Sequence, residues 1–185
     1  MAAPASAQFS ESYKFLEAVR KGDGTAVTTA VEQPGVTPIN TRDRTSGETA
    51  LLITIGRKDM TWSNYLLAHG ARVDLADNQG RTPLMLAVER RFPEGVELLL
   101  SKKANPNQAN SRGETPLIRA VQMQDVGMVR LLIDKGADPK KRDTLAGMSA
   151  LDYAQRDARV PGLIEALSVP AKAATGSKPM QGPSL

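Results

Sequence analysis

Few residues in this sequence of 185 could do covalent, metal or acid–base chemistry. It contains no Cys and one His, His69. The absence of Cys excludes thiolate nucleophiles, disulfides and cysteine-based metal sites, and one His cannot form a His-pair metal site. Asp152 and Asp157 accompany no base or ligand set, so we interpret them as helix-surface residues. The sequence therefore predicts no catalytic residue, no metal site, no cofactor and no enzyme activity.

The chemistry that the sequence does offer is charge recognition by Lys and Arg. Twenty-four Lys and Arg against twenty Asp and Glu give a formal net charge of +4. This excess favours acidic partners without demanding nucleic acid. The cluster of cations at residues 140–142 has no interleaved aromatic residues and is weak evidence for nucleic acid binding.

A repeat of about 33 residues sets the positions of these charges. Four glycines each open a motif of the form Gly-x-Thr/Ser-x-Leu, at spacings of 33, 33 and 34 residues: Gly47, Gly80, Gly113 and Gly147. An aliphatic pair follows the first three glycines at a constant distance: Leu66-Leu67, Leu99-Leu100 and Leu132-Ile133. Features that keep one register this long indicate repeated structural units.

Each copy has the pattern of two short helices joined by a turn. Thr82 precedes Pro, and a Thr cap followed by Pro at the first helical position is typical of a helix start. Leu84, Ala87 and Val88 share one helical face, which predicts that this face is buried. A second apolar stripe around Leu99 predicts a second helix. The links between copies are rich in Asp, Asn and Gly, which predicts tight turns.

At these residues the sequence resembles the ankyrin repeat family, whose pattern includes Thr-Pro-Leu-His-x-Ala, an aliphatic pair and Gly-Ala-Asp. Residues 82–87, 115–120 and 132–139 carry the resemblance, which covers about residues 12–167. The family's His is absent, and its place is taken by Leu52, Met85, Ile118 and Asp152. The resemblance implies an all-α solenoid of about five stacked helix-turn-helix repeats, joined by projecting β-turn fingers.

We expect the repeat domain to span residues 11–167. Its repeats are predicted at about 12–42, 43–76, 77–109, 110–142 and 143–167, with the first and last as caps. The turns at 43–47 and 143–147 hold one residue more than the turn at 77–80, so we expect them to be shaped differently. Residues 168–185 are rich in Pro, Gly and small residues, which predicts a disordered tail.

Residues 1–10 allow two interpretations. Ala5-Ser6-Ala7 matches the small-residue pattern before a secretory cleavage point, but no basic or apolar region precedes it. The segment is either a remnant of an export signal, in a periplasmic or secreted protein, or a disordered terminus of a cytoplasmic one. No apolar run approaches the roughly 18 residues that would span a bilayer.

The resemblance implies a non-enzymatic module that binds a protein on its concave face, through turn tips and first-helix side chains. Basic pairs recur near the ends of the first helices, which predicts a positive strip or, alternatively, cations that complement helix dipoles. We expect Phe92 to be exposed in the link between two helices. The residues expected to contact the partner are Arg57, Lys58, Asn78, Gln79, Arg81, Arg90, Arg91, Phe92, Ser111, Arg112 and Met123.

The partner is expected to have an acidic surface, and the chain to be a monomer without a small-molecule cofactor. An alternative function is that of an effector or regulatory protein acting on a host target or on nucleic acid. Three structural expectations complete the pattern. Trp62 and Tyr65 should pack between copies, His69 should be exposed near a helix end, and Lys103 should hold the left-handed position where other copies have Gly.

Overall fold

Paired helices recur along the chain in the computed structural model, which describes residues 5–33, 38–157 and 162–168. These residues form ten α-helices, a 3-10 helix at Pro38–Asn40 and no strand, which confirms the predicted all-α repeat solenoid. The helices are α1 (Ala5–Lys21), α2 (Gly24–Glu32), α3 (Ala50–Gly56), α4 (Met60–Ala68), α5 (Pro83–Glu89), α6 (Pro93–Ser101), α7 (Pro116–Gln122), α8 (Val126–Asp134), α9 (Ala150–Arg156) and α10 (Gly162–Ser168).

A hydroxyl side chain caps the first helix of each pair from α3 onward. Each hydroxyl accepts a hydrogen bond from the backbone N–H three residues later, which satisfies one of the donors left free at a helix start. Pro83 and Pro116 then occupy the first helical position, as predicted. The capping residues are Thr49, Thr82, Thr115 and Ser149.

An Asp caps the second helix in three of the pairs. Asp23, Asp59 and Asp125 accept hydrogen bonds from backbone N–H groups at 3.0, 3.1 and 3.0 Å. Phe92 holds the equivalent place before α6 and makes no side-chain cap. Helix α6 therefore begins without the capping bond that α2, α4 and α8 have.

The core is continuous along the array. The first helices pack in succession, α1 on α3, α3 on α5, α5 on α7 and α7 on α9, and each second helix packs on its own first helix. Leu84, Leu99, Leu117 and Leu132 are fully buried, as the helical faces predicted. Each repeat therefore depends on its neighbours for burial, which is the property of a solenoid.

Left-handed residues end the helices. Gly70 and Gly136 follow α4 and α8 with φ of 92° and 89°, and Lys103 follows α6 with φ of 66°, which confirms its predicted conformation. Three non-glycine residues hold the same conformation after first helices: Lys58, Arg91 and Gln124.

Trp62 packs between the first two helix pairs, as expected. A Cβ atom built on Gly24 of α2 would lie 2.9 Å from the Trp62 ring. Tyr65 meets Trp62 edge-on with ring centroids 5.2 Å apart and belongs to the packed layer. His69 is exposed at the end of α4, where its Nδ1 lies 2.8 Å from the Tyr65 carbonyl oxygen.

The two ends of the chain differ from the predicted boundaries. Helix α1 begins at Ala5, so residues 5–10 are helical rather than disordered; alanine favours helix, and the segment runs without a break into the buried part of α1. Its origin in an export signal stays a prediction. Ser168 ends α10, and the rest of the predicted tail, 169–185, lies outside the described residues. Within the described part, no helix has the length and apolar character needed to cross a membrane.

Candidate protein-binding surface

Four turns project between the helix pairs; we call them fingers 1 to 4 (residues 43–47, 77–80, 110–113 and 143–147). One backbone hydrogen bond joins each finger to the next, at N···O distances of 2.9, 3.0 and 3.1 Å: Asn78 to Ser46, Ser111 to Gln79 and Thr144 to Arg112. Because these bonds use main-chain groups, they fix the spacing of the fingers whatever side chains the tips carry.

Gly80 allows finger 3 to approach finger 2 closely. Its φ of 75° is strained for an L-residue, and a Cβ atom there would lie 2.6 Å from the backbone nitrogen of Ser111. Gly47 and Gly113 meet the next finger in the same way, whereas no described atom lies within 4 Å of a Cβ built on Gly147. The glycines of the sequence repeat are therefore required by the turn and, in three cases, by the neighbouring finger.

Fingers 1 and 4 are closed differently from finger 2, as their extra residue predicted. The Gly47 N–H donates to the Asp43 carbonyl four residues earlier, at 2.9 Å, whereas the Gly80 N–H donates to the Asp77 carbonyl three residues earlier, at 3.0 Å. In finger 4 the Gly147 N–H donates to the side chain of Asp143 at 3.0 Å.

Beside fingers 2 and 3, a buried acid pairs with an arginine that is more exposed than the acid. Asp77 lies 2.7 Å from the Arg81 guanidinium, and Glu114 lies 2.9 Å from that of Arg112. The side chains of Asp77 and Glu114 are 3% and 8% exposed, against 31% for Arg81 and 57% for Arg112. The surface that a partner would meet is therefore rich in guanidinium, although these charges are balanced beneath it.

Hydrogen bonding lowers the pKa of two finger acids. At Asp43, the Ser46 N–H and then the Arg20 guanidinium, 2.8 Å away, hold the pKa well below its ordinary value. Burial raises the pKa of Asp143, but a 2.6 Å hydrogen bond from the Tyr153 hydroxyl and several backbone N–H groups lower it overall. Both acids are therefore anionic at neutral pH and act as fixed acceptors.

Four of the predicted contact residues lie at the finger tips: Arg112, described above, and Asn78, Gln79 and Ser111. Asn78 is exposed and links two fingers, because its Nδ2 donates to the Thr45 carbonyl at 2.9 Å and its Oδ1 accepts from Arg42 at 3.3 Å. Gln79 and Ser111 are exposed, and their side chains make no hydrogen bond to another described residue. These two side chains remain available to a partner.

Arg57 caps the preceding repeat. Its Nη1 donates to the carbonyl oxygens of Val19 at 2.9 Å and Arg20 at 3.2 Å, in the last turn of α1. A helix leaves its last carbonyl groups without internal partners, so this guanidinium supplies donors that α1 lacks. The sequence predicted, as one alternative, that such cations act at helix ends, and Arg57 does so. The helix end that it caps is that of α1 in the preceding repeat, not that of its own helix α3.

Lys58 and Arg91 reach forward to the following repeat. Lys58 Nζ lies 3.4 Å from the Arg91 carbonyl oxygen, and Arg91 Nη2 lies 3.1 Å from that of Met123. Arg91 also lies 3.6 Å from a carboxylate oxygen of Asp125. These side chains join successive repeats, and any contact with a partner stays a prediction. Met123 ends α7 half-buried and receives the bond through its backbone.

Arg90 differs from the other cations of the predicted strip. It is exposed after α5, lines a groove with Arg57, Asp77 and Arg81, and makes no side-chain hydrogen bond or ion pair with another described residue. Among the four predicted cations Arg57, Lys58, Arg90 and Arg91, Arg90 is therefore the one whose side chain is not engaged with another described residue.

Phe92 was expected to be exposed, and this prediction is wrong. The residue is 5% exposed and its ring lies over Gly95, where even a Cβ atom would collide with it. The missing side chain at Gly95 makes room for the ring, so Phe92 belongs to the core and not to a contact surface.

Sequence reasoning missed Glu89 and Arg119, which lie beside the fingers. Glu89 stands between two arginines, 3.6 Å from Arg81 Nη1 and 3.3 Å from Arg119 Nε. The repeat alignment held a signal for Arg119, because the other copies have Ile53, Leu86 or Tyr153 at its position. A cation at a position that is otherwise apolar or aromatic is a candidate for a special role.

Two family models match the chain. A model of ankyrin repeats in three copies matches residues 15–110, and a model of ankyrin repeats in many copies matches residues 93–133. The chain belongs to the ankyrin repeat family. A comparison with curated proteins gave no match. Ankyrin repeats generally mediate protein–protein interaction, and the family is typically non-enzymatic.

Proposed function

We propose that this ankyrin array binds a protein partner along the face formed by the fingers and the ends of the first helices. The observation that carries the proposal is the layering of charge at fingers 2 and 3, where the carboxylates are buried and their guanidinium partners lie nearer the surface, with Arg81 half-buried and Arg112 exposed. Arginine with a polar neighbourhood is a frequent anchor in protein interfaces.

The partner's contacting surface is acidic. The cations that this surface presents are Arg112 at the tip of finger 3, which is 57% exposed although it pairs with Glu114, and Arg90 at the groove, whose side chain is not engaged with another described residue. Long-range attraction between such charges mainly raises the association rate and is screened over about 8 Å at physiological salt. Arg57, Lys58 and Arg91 contribute indirectly, because they fix the spacing of the repeats that carry this surface.

The test is an association rate measured at two salt concentrations. The partner is first captured by crosslinking and pull-down, and the Arg90→Glu/Arg112→Glu variant is then compared with the unmodified chain. We expect association to slow about tenfold or more at low salt and to differ much less at high salt. The thermal midpoint should fall, because Arg112→Glu places a like charge beside the buried Glu114, so rates are compared well below the midpoint of the variant.

An Arg72→Glu/Arg130→Glu variant is the matched control. Arg72 and Arg130 are exposed and do not line the grooves beside the fingers, so two arginines are reversed at another place. Equal slowing by the control, or no slowing by Arg90→Glu/Arg112→Glu, would contradict binding at the finger surface.

A further inference from the structure

Glu89 is the only carboxylate among the groups lining the groove between fingers 2 and 3 in the described part of the chain. The groove is lined by Asn78, Gln79, Arg81, Glu89, Asn110, Ser111, Arg112 and Arg119. Glu89 is the last residue of α5, and its side chain is 17% exposed. A carboxylate at a helix C-terminus faces the negative end of the helix dipole, so its own helix does not favour it there.

The contacts of Glu89 are ion pairs without hydrogen bonds. Its oxygens lie 3.6 Å from Arg81 and 3.3 Å from Arg119, and neither pair is aligned for a hydrogen bond. Arg119 Nε is consequently a buried donor with no acceptor among the described residues. Buried donors are nearly always satisfied in folded proteins, so this one marks a place where an acceptor is missing or badly placed.

The other acids of the fingers are held much more firmly. Asp77 accepts from the N–H groups of Gln79 and Arg81 at 2.8 and 2.9 Å, and from Arg81 Nε at 2.8 Å. Glu114 accepts from Asn110 at 2.8 Å and from Arg112 at 3.1 Å. Glu89 is therefore the weakly held carboxylate of this surface, and the one that a competing carboxylate could displace.

We infer that Arg81 and Arg119 form a carboxylate-binding subsite, which Glu89 occupies in the unbound chain and yields to an Asp or Glu side chain of the partner. The inference rests on the proposed function, because it assigns the position where one acidic residue of that partner docks. The exchange replaces one carboxylate by another, so no guanidinium is left buried without a counter-charge.

The groove also supplies neutral donors for an incoming carboxylate. The side chains of Gln79 and Ser111 line it and are not engaged with other described residues. A carboxylate accepts several hydrogen bonds at once, and those from charged donors are the stronger ones. The subsite therefore offers a partner's carboxylate two neutral side chains that Glu89 does not use.

The experiment uses the full chain and two capped peptides, Gly-Glu-Gly-Glu-Gly and its Gln counterpart. Binding is followed by NMR spectra that include the arginine Nε–H signals. We expect the Glu peptide, and not the Gln peptide, to shift the Arg119 Nε–H signal. Glu89→Gln should lower the dissociation constant about threefold or more, because a competing ion pair is removed. Arg119→Gln should abolish the preference for the Glu peptide.

Glu97→Gln is the matched control, since Glu97 is exposed on α6 and its removal changes the net charge equally. An equal effect of Glu89→Gln and Glu97→Gln would overturn the subsite, as would a peptide that shifts no signal in the groove. Such a result leaves the proposed function standing if Arg90→Glu/Arg112→Glu still slows association with the captured partner, and the two ideas fail together only if it does not.

Discussion

At the scale of single residues, Lys103 holds a backbone conformation that side chains disfavour. Its φ is 66°, where an L-residue is strained by about 1 kcal/mol relative to Gly. No side-chain contact offsets this strain, because the Lys103 side chain is exposed and makes no hydrogen bond or ion pair with another described residue. Gly70 and Gly136, at the equivalent positions, avoid the same strain.

We therefore expect Lys103→Gly to raise the free energy of unfolding by up to about 1 kcal/mol. Equilibrium unfolding in urea measures it. Lys102→Gly is the control, because Lys102 has a φ of −88° and gains nothing from Gly, so that variant should lose stability. A loss of stability in Lys103→Gly would show that its side chain makes a contact that the fold needs.

The conformation of Lys103 followed from the sequence, but the roles of Arg57 and Arg91 did not. Lys103 stands where other copies have the Gly that ends the second helix, and this replacement can be recognised from the repeat alignment. The carbonyl groups that Arg57 and Arg91 bind belong to neighbouring copies, more than 30 residues away along the chain. Pairing between repeats depends on how two units are rotated against each other, which the repeat pattern does not contain.

At the scale of the helices, the start of α6 is stabilised differently from the starts of α4 and α8. Helices α4 and α8 start at an Asp that caps the first turn, whereas α6 starts at a buried Phe92 packed over Gly95. A lost cap costs about 1 kcal/mol, and removing a buried aromatic side chain costs about 3 to 5 kcal/mol. The burial of Phe92 therefore outweighs the cap that it replaces.

We expect both Phe92→Asp and Phe92→Ala to destabilise the array, with Phe92→Asp the less damaging of the two by about 1 kcal/mol. The Asp restores the cap found in α4 and α8, and the Ala does not. Thermal and urea unfolding measure the difference. Equal stability of Phe92→Asp and the unmodified chain would mean that the buried ring contributes no more than a cap.

The helix starts were predictable, and the burial of Phe92 was not. A Thr followed by Pro and an apolar face specifies a capped, packed helix by local chemistry, and Thr82 and Thr115 behave accordingly. The place of Phe92 in a link between two helices predicts exposure. The space for its ring exists because Gly95, one helical turn later, has no side chain. The sequence alone does not show that the ring of Phe92 packs over Gly95.

At the scale of the whole molecule, within residues 5–33, 38–157 and 162–168, the first and last helix pairs each have one neighbouring pair and the inner pairs have two. The contacts of α5 with α3 and α7 lie on both sides of the helix, whereas α9 packs on α7 alone among first helices. In a solenoid, stability is close to a sum of repeat and interface terms, so a missing interface lowers the stability of the end units.

Amide hydrogen exchange should therefore be slowest in α5 and α7 and faster in α1, α2, α9 and α10. Native-state exchange measured by mass spectrometry or NMR gives the opening free energy of each helix. Uniform protection along the array would contradict this gradient and indicate a single cooperative unit.

The bonds between repeats have a consequence for how the chain can change over generations. Three finger bonds, and the bonds made by Arg57, Lys58 and Arg91, end on main-chain carbonyl groups, which every amino acid possesses. If a gene duplication copied one 33-residue unit, the new unit would already contain the backbone carbonyl acceptors for these bonds, whatever side chains it carried. Arrays joined in this way can lengthen or shorten by whole units, while mutation is left free to diversify the finger tips.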